Sequence, residues 1–326
     1  MNLDPESQNL LRMGELVVKN ELTGRTALAF LERVDALHEK GLPSGAKTGW
    51  PSVDSHYTVC PGQMTILTGW PGSGKSEWLD ALLLNLARQG WRLCLFSPEN
   101  QPNEIHVVKF LEKFVGKPFG AGPTERMTKE EAAEAATEID QWFSFITPAF
   151  TSEKLSFTIQ EVLDAAEFDF RKRDLWQSKE HFLGLVIDPW NELEHLRPQG
   201  LSETEYVSQT LSLIRNWARK HNVHVWVVAH PQKLKRLENG KLPVPTPDTI
   251  SGSQHWWNKA DACITVWREF GETPSQSVEI HVQKVRFKHI GRQGMVQLLY
   301  DRITGRYHEP VVTPVEVKRK VVGVDF

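Results

Sequence analysis

The sequence predicts an α/β fold: a mostly parallel sheet flanked by helices, with antiparallel strands added at one edge. Three observations carry this expectation. From about residue 46, near-continuous apolar runs of strand length alternate with helical stretches, the pattern of strands covered on both faces. One of those runs leads through a glycine-rich loop into a helix. After about residue 262 the helical stretches stop and only strand-like runs follow, which places them at an edge.

Each element has its own signal. Residues 1–45 read as helical, notably "RTALAFLERVDALHEKG", in which Ala27, Phe30, Leu31, Val34 and Leu37 form an apolar stripe. "GLPSG" then breaks the pattern. Such a helix must bury its stripe on its own domain or on a neighbouring subunit, and its own domain is the default. "MTILTG" is a buried strand, followed by a helix from Lys75 to about Gln89. "RLCLFS" is the next strand, followed by helices within 101–116 and 128–143, the later one opened by a capping box of Thr128 and Glu131. "FLGLVID" and "VHVWVVAH" are further strands, and between them Ser202 and Glu205 cap a helix reaching about His221. Residues 262–268, 277–287 and 294–300 supply the edge strands. The expected division is a helical segment over 1–45, a core domain over 46–312, and a solvated tail over 313–326 containing "VKRK".

Composition narrows the function classes. The 326 residues carry a formal charge of -3, with 40% hydrophobic and 24% charged residues, as soluble globular chains do. No run reaches the roughly 18 apolar residues of a membrane span, and "MNLDPESQNLLRMGELVVKNEL" is too polar for a signal peptide. Cys60, Cys94 and Cys263 lack metal-ligand spacing, and Cys94 and Cys263 lie in apolar runs as core residues do. A reducing, cytosol-like compartment follows, or an organellar matrix after loss of a transit peptide. The near-neutral charge means that any nucleic-acid binding must come from local patches.

"GWPGSGKS", Gly69 to Ser76, matches G-x-x-x-x-G-K-[ST] with a strand before it and a helix after it. A loop of Gly69, Pro71, Gly72, Ser73 and Gly74, with the helix N-terminus behind it, is built to cradle nucleotide phosphates. Lys75 then reaches the β- and γ-phosphates of ATP, and the Ser76 hydroxyl ligates Mg²⁺. Asp188, at the end of "FLGLVID", is expected to be the second Mg²⁺-associated carboxylate; the alternative is an Asp capping the next loop. Glu99, just past the second strand, suits a general base for the attacking water, against the alternative of a solvated loop residue. His230 ends "VHVWVVAH" at the same edge and is expected to sense the γ-phosphate rather than serve as a hydrogen-bonded core histidine. Farther on, the alternation of "HVQKVRFKHIGRQG" puts Lys284, Arg286 and Lys288 on one face with Val282. Either that strand is a solvated edge guarded by cations, or something strongly anionic lies opposite.

Together, "TGWPGSGKS", "FSPEN", "VIDPWNELEH", "VAHP", "ISGSQHWWNKAD" and "QKVRFK" resemble the five-motif core of replicative hexameric helicases, the RecA-type motors of the DnaB class. The likeness is strongest to the Twinkle branch and to the helicase half of phage primase–helicases. It covers roughly residues 46–310, with no primase, zinc-ribbon or toprim-like segment ahead of it. The resemblance implies a RecA-like P-loop NTPase core that uses ATP or another NTP with Mg²⁺. It also implies a homo-oligomer, a hexameric ring on single-stranded DNA that unwinds duplex DNA 5′ to 3′. Primase, polymerase and single-strand-binding protein are the implied partners, and no membrane is. In that family a Lys-x-Arg pair reaches the γ-phosphate bound by the next subunit, and Lys284 and Arg286 match it; Lys288 has no assigned role. Arg268 and Tyr300 occupy the places of the residues that sandwich the nucleobase, with Tyr300 equally readable as a core aromatic.

DNA contacts are expected from "HPQKLKRLENGKLPVPTPDTISGS", a long loop without period that holds Lys233, Lys235, Arg236 and Lys241. Ser251, Gly252 and Lys259 belong to the family's last motif and are expected on the strand backbone, with Trp256 and Trp257 packed under the loop rather than stacked on bases. The loop holding Arg197 is otherwise acidic, which counts against a large DNA role there. The helix at about 25–40 is expected to dock on an adjacent subunit. Two rivals remain: a RecA-like filament protein that uses ATP as a switch on single-stranded DNA, and a P-loop small-molecule kinase, for which no acceptor pocket is visible.

Overall fold

The computed structural model describes residues 26–148, 154, 156–176, 180–238, 240–251, 254–269 and 275–310. The chain divides into two compact units, Met1–Pro43 and Ser44–Phe326. In the first, a 3-10 turn over Ala27–Phe30 runs into helix α1, Leu31–Lys40, which stops at Gly41 with φ 79°. Phe30, Leu31, Val34 and Leu37 are all exposed.

Among its described residues the second unit is built on nine strands: β1 Met64–Thr68, β2 Trp91–Phe96, β3 Phe143–Phe145, β4 Phe182–Ile187, β5 Val223–Val228, β6 Ala262–Trp267, β7 Ser277–Val285, β8 Gly294–Tyr300 and β9 Tyr307–His308. They form one sheet in the order β3-β2-β4-β5-β1-β6-β7-β8-β9. Pairing is parallel from β3 through β6 and antiparallel from β6 to β9. This is the expected fold class. Helices α2 (Pro51–Asp54), α3 (Lys75–Ala87), α4 (Asn103–Val115), α5 (Lys129–Trp142), α6 (Ile159–Lys172), α7 (Glu203–His221) and α8 (His255–Lys259) complete it.

Alternation explains why the central strands are apolar throughout. Leu67, Leu93, Leu95 and Val186 join a core with α3, α4 and α5, while Met64, Ile66, Cys94, Leu185 and Ile187 join a second core with α6 and α7. Both faces of each strand are therefore covered. Between them Gly184 lets β4 sit close to its neighbours: a Cβ there would lie 2.7 Å from both Leu93 and Trp226. Cys94 and Cys263 are core residues as expected.

Three features differ from the sequence expectations. Helix α6 and the short strands β3 and β9 have no counterpart there, although α6 carries a capping box of Thr158 and Glu161 and buries Ile159, Val162, Leu163, Ala166 and Phe170. Strand β7 ends at Val285, short of Lys288. Its register also shifts opposite Cys263/Ile264, so that Val282 faces Ile264 while Lys284 faces Cys263. Since opposed residues share a face, and Ile264 and Cys263 belong to different cores, the bulge puts Val282 and Lys284 on opposite faces. Finally, the stretch after His230 is not structureless. Pro231 bridges to Ile250, Gln232 N–H donates to the Thr249 carbonyl, and a 3-10 turn spans Pro247–Thr249.

Candidate nucleotide-binding site

Because β1, β2, β4 and β5 run parallel, their carboxyl ends bring four loops to one edge of the sheet. The loop after β1 turns into α3 at Gly74, whose φ of 97° suits glycine. No side chain caps that helix start, so its first N–H groups remain available to an anion. Ser73 Oγ is buried without a partner among the described residues. Lys75, buried, turns its Nζ back to the Gly69 and Trp70 carbonyls at 3.0 and 3.2 Å. Burial depresses its pKa, partly offset by Asp188 and Glu99. A loop carrying an orphan hydroxyl, free helix N–H groups and a desolvated ammonium fits a phosphate.

Asp188 follows β4 and is buried. Burial pushes its carboxyl up to about 6, and Asp80 and Glu99 add to the rise, while the Ser76 hydrogen bond and Lys75 oppose it. A hydroxyl and a carboxylate in contact, with further negative charge close by, are the hard oxygen donors that Mg²⁺ takes. Ser76 and Asp188 are the residues that would hold it. Behind them Asp80 is itself buried and accepts from His106 Nε2 at 3.1 Å.

Glu99, beyond β2, is exposed and lies 3.4 Å from His230 Nε2. The His230 N–H donates to Asn191 Oδ1 at 3.1 Å, which ties the β5 end to the β4 loop. Across the cavity, Arg268 Nη2 donates to the Gly72 carbonyl at 2.6 Å. Tyr300 stands beside Tyr307, ring centroids 5.0 Å apart; burial, with Glu77 next, raises its pKa. Pro71, Gly72, Gly74, Lys75, Ser76, Glu99, His230, Arg268 and Tyr300 thus line one cavity of about 550 Å³. Tyr300 faces that cavity rather than lying wholly in the core.

Glu77, Asn100, Lys109 and Tyr307 line the same cavity, and sequence reasoning misses all four. Glu77 pairs with Lys109 at 3.0 Å and Lys113 at 2.5 Å. Its position directly after the motif is the available signal; Lys109 and Tyr307 arrive from distant segments and have none.

The Lys284–Arg286 pair lies elsewhere. Lys284 Nζ donates to the Trp257 carbonyl. Arg286 Nε is 2.7 Å from Asp261, and its Nη2 donates to the Asn258 and Ala260 carbonyls. Asp261 also accepts from the N–H of Met64, the first residue of β1. The phosphate loop follows the last residue of that five-residue strand, about 15 Å away along it. Neither cation lines the cavity of its own chain. Lys288 is exposed beyond the strand end.

Of the expected DNA contacts, Lys233, Lys235 and Arg236 are exposed on the 231–250 excursion; Arg236 donates to the Gly240 carbonyl, and Lys241 pairs with Glu269 at 2.7 Å. Trp70, inside the phosphate loop, donates to the Pro243 carbonyl of the same excursion at 2.8 Å. Ser251 Oγ donates to Glu203 at 3.2 Å, Lys259 is half-buried, and Gly252 lies outside the described residues. Trp256 is fully buried, edge-on to Trp190, which makes it a packing residue as expected.

A phosphate loop at the head of β1, carboxylates on the neighbouring strand ends and an antiparallel edge define a P-loop fold of the RecA-like class. Two solved structures share it. One is described as an ATPase domain, at TM-score 0.71 and 16% identity over 88% of this chain and 100% of that one. The other is a DnaB-like replicative helicase described with its interactions with primase, at TM-score 0.70 and 16% identity over 94% and 72%. In sequence, the chain is 40% identical over 291 residues to the Twinkle homolog protein, chloroplastic/mitochondrial, of Arabidopsis thaliana. That match takes in 87% of this chain, which spans 40% of the relative's length. No protein-family model matches. The likeness in sequence is thus to a Twinkle homolog, and the likeness in fold is to a DnaB-like replicative helicase and an ATPase domain.

Proposed function

We propose that the chain is the motor of an ATP-driven, ring-forming DNA helicase that translocates on single-stranded DNA and unwinds duplex. The observation that carries this reading is the division of charged machinery between the two ends of β1. The phosphate cradle is at the carboxyl end and the Lys284–Arg286 pair is at the amino end, tied through Asp261 to Met64. A chain cannot fold that pair onto its own nucleotide, but it can offer it to a neighbour's. An arginine supplied in trans raises phosphoryl-transfer rates by roughly 10³–10⁵.

Within one subunit, the loop Gly69–Ser76 and Lys75 hold the phosphates, and Arg268 and Tyr300 flank the base, where guanidinium and phenol faces both stack well. Ser76 and Asp188 would hold Mg²⁺, which would supply neutralisation of the phosphate charge. Glu99 takes a proton from the attacking water, and His230 beside it reports whether the γ-phosphate is present. Arg286 and Lys284 stabilise the transferred charge in the neighbouring site. Lys233, Lys235, Arg236, Lys241, Ser251, Gly252 and Lys259 serve the DNA backbone, with the Trp70–Pro243 hydrogen bond linking phosphate loop to DNA loop. A primase, a polymerase and a single-strand-binding protein are the partners this role calls for, and an organellar matrix is a compartment that suits it.

Steady-state ATP hydrolysis over a range of protein concentrations, with and without single-stranded DNA, tests the proposal. The rate per subunit should climb with concentration and rise again with DNA. A rate flat in concentration and indifferent to DNA means a site complete in one chain, and overturns it.

A further inference from the structure

Asp261 is fully buried, follows α8, and sits at the amino end of β1. Its Oδ2 accepts from the Met64 N–H at 3.1 Å. Its Oδ1 lies 2.7 Å from Arg286 Nε, 3.5 Å from Arg219 Nη2 and 3.7 Å from Arg215 Nε. The backbone N–H of Asp261 donates to the Met64 carbonyl, and the Arg286 N–H donates to the Asp261 carbonyl. One residue is therefore bonded by main chain and side chain both to the strand that carries the phosphate loop and to the arginine at the end of β7. Its two arginines from α7, one of them half-exposed, surround the same carboxylate oxygen.

We propose that Asp261 is the positioning residue of Arg286: it fixes the guanidinium that a subunit presents to its neighbour, and couples that guanidinium to the subunit's own β1. The inference rests on the proposed interfacial site. A long arginine side chain left free would lose its aim, because holding it costs rotamer entropy at the moment of reaction. A buried carboxylate bonded to Nε leaves Nη1 uncommitted and pre-sets the fork. Because the same carboxylate holds the first residue of β1, a shift of that strand on nucleotide binding moves the seat of the arginine with it. One subunit's nucleotide state is thereby passed to the next subunit's site through a single side chain. Arg219 and Arg215 supply further positive charge around the same carboxylate and help to keep it ionised.

The test uses full-length chain carrying Asp261→Asn, which keeps an acceptor for the Met64 N–H and removes the charge. In DNA-stimulated ATP hydrolysis, kcat should fall about 10²-fold, the scale of a misplaced catalytic group, with KM and nucleotide affinity within about twofold of wild type. Mixing it with Lys75→Ala subunits, which cannot hydrolyse but keep Asp261 and Arg286, should restore activity at sites where an intact arginine faces the Asp261→Asn phosphate loop. A merely structural defect would not be rescued this way. Unchanged kcat, or loss without rescue, overturns the proposal. Arg286→Ala run beside it separates the two readings: if that variant keeps full activity, the interfacial site itself fails; if it is inactive and rescued while Asp261→Asn behaves as wild type, only the role of Asp261 fails. Should Asp261→Asn not fold, hydrogen exchange at Arg286 Nε in the wild-type chain decides. Exchange much slower than in free arginine supports the seat, and exchange as fast overturns it.

Discussion

At the scale of single residues, the sharpest unused chemistry is His224 on β5. Its Nδ1 is 2.7 Å from the Cys60 carbonyl, and a carbonyl only accepts, so Nδ1 carries the proton. With the ring neutral, Nε2 accepts the Thr65 hydroxyl hydrogen at 3.0 Å, and the Tyr57 hydroxyl then donates to Thr65 Oγ1 at 2.9 Å. Burial depresses the ring's pKa from 6.5 to about 4, against the smaller opposing effects of the Cys60 carbonyl and Asp261. Between those two values the unfolded chain binds a proton that the folded chain refuses, so stability is full above about pH 6.5 and drains away as pH falls towards 4. The loss from this residue is about 3 kcal/mol at most. Thermal unfolding at pH 7 and pH 5 should show it, and His224→Gln, though less stable at pH 7, should lose less between the two. An identical pH dependence in both proteins would remove His224 as the cause. None of this is legible in the sequence, where His224 is one of several histidines. Its partners Cys60 and Thr65 are more than a hundred residues away. The Gly69–Ser76 loop is legible because its function is local to eight consecutive residues.

At the scale of elements, what the sequence conveys depends on whether periodicity survives tertiary context. The apolar strands β1, β2, β4 and β5 declare themselves, being covered on both faces. The capping boxes at Thr128 and Ser202 fix two helix starts. Helix α6 has the same box at Thr158, so its signal is present in the chain even though no helix is expected there. The bulge in β7 is different: nothing in "IHVQKVRF" marks an extra residue, which becomes evident only from pairing with β6. Helix α1 is amphipathic, as its spacing predicts. Its exposed Phe30, Leu31, Val34 and Leu37 form the kind of apolar surface that marks an interaction site. Val34→Asp should leave the core and its unfolding temperature essentially unchanged, yet lower the assembly state seen by light scattering at a fixed concentration. An unchanged oligomer would mean that α1 has no part in holding subunits together.

At the scale of the whole molecule, the proposed function asks how a chain of net charge -3 would grip a polyanion. Attraction cannot come from its average field, so it has to be concentrated where the acidic residues are few. The 231–250 excursion meets that condition only in part. Lys233, Lys235 and Arg236 are exposed there, but Lys241 pairs with Glu269. Each phosphate contact made by such a cation releases condensed counterion, with a salt slope of about -0.7 per contact on a single strand. The DNA concentration that half-activates ATP hydrolysis should therefore rise steeply with salt. In the paired substitution Lys233→Ala and Lys235→Ala, the slope should fall by about 1.4 for every subunit touching the strand, while the rate at saturating DNA stays within about twofold, because neither lysine lines the nucleotide cavity. A slope that does not change would move the DNA contact off this excursion. A slope that falls together with the saturated rate would mean that the Trp70–Pro243 link carries DNA contact into the phosphate loop itself, making the two loops one switch.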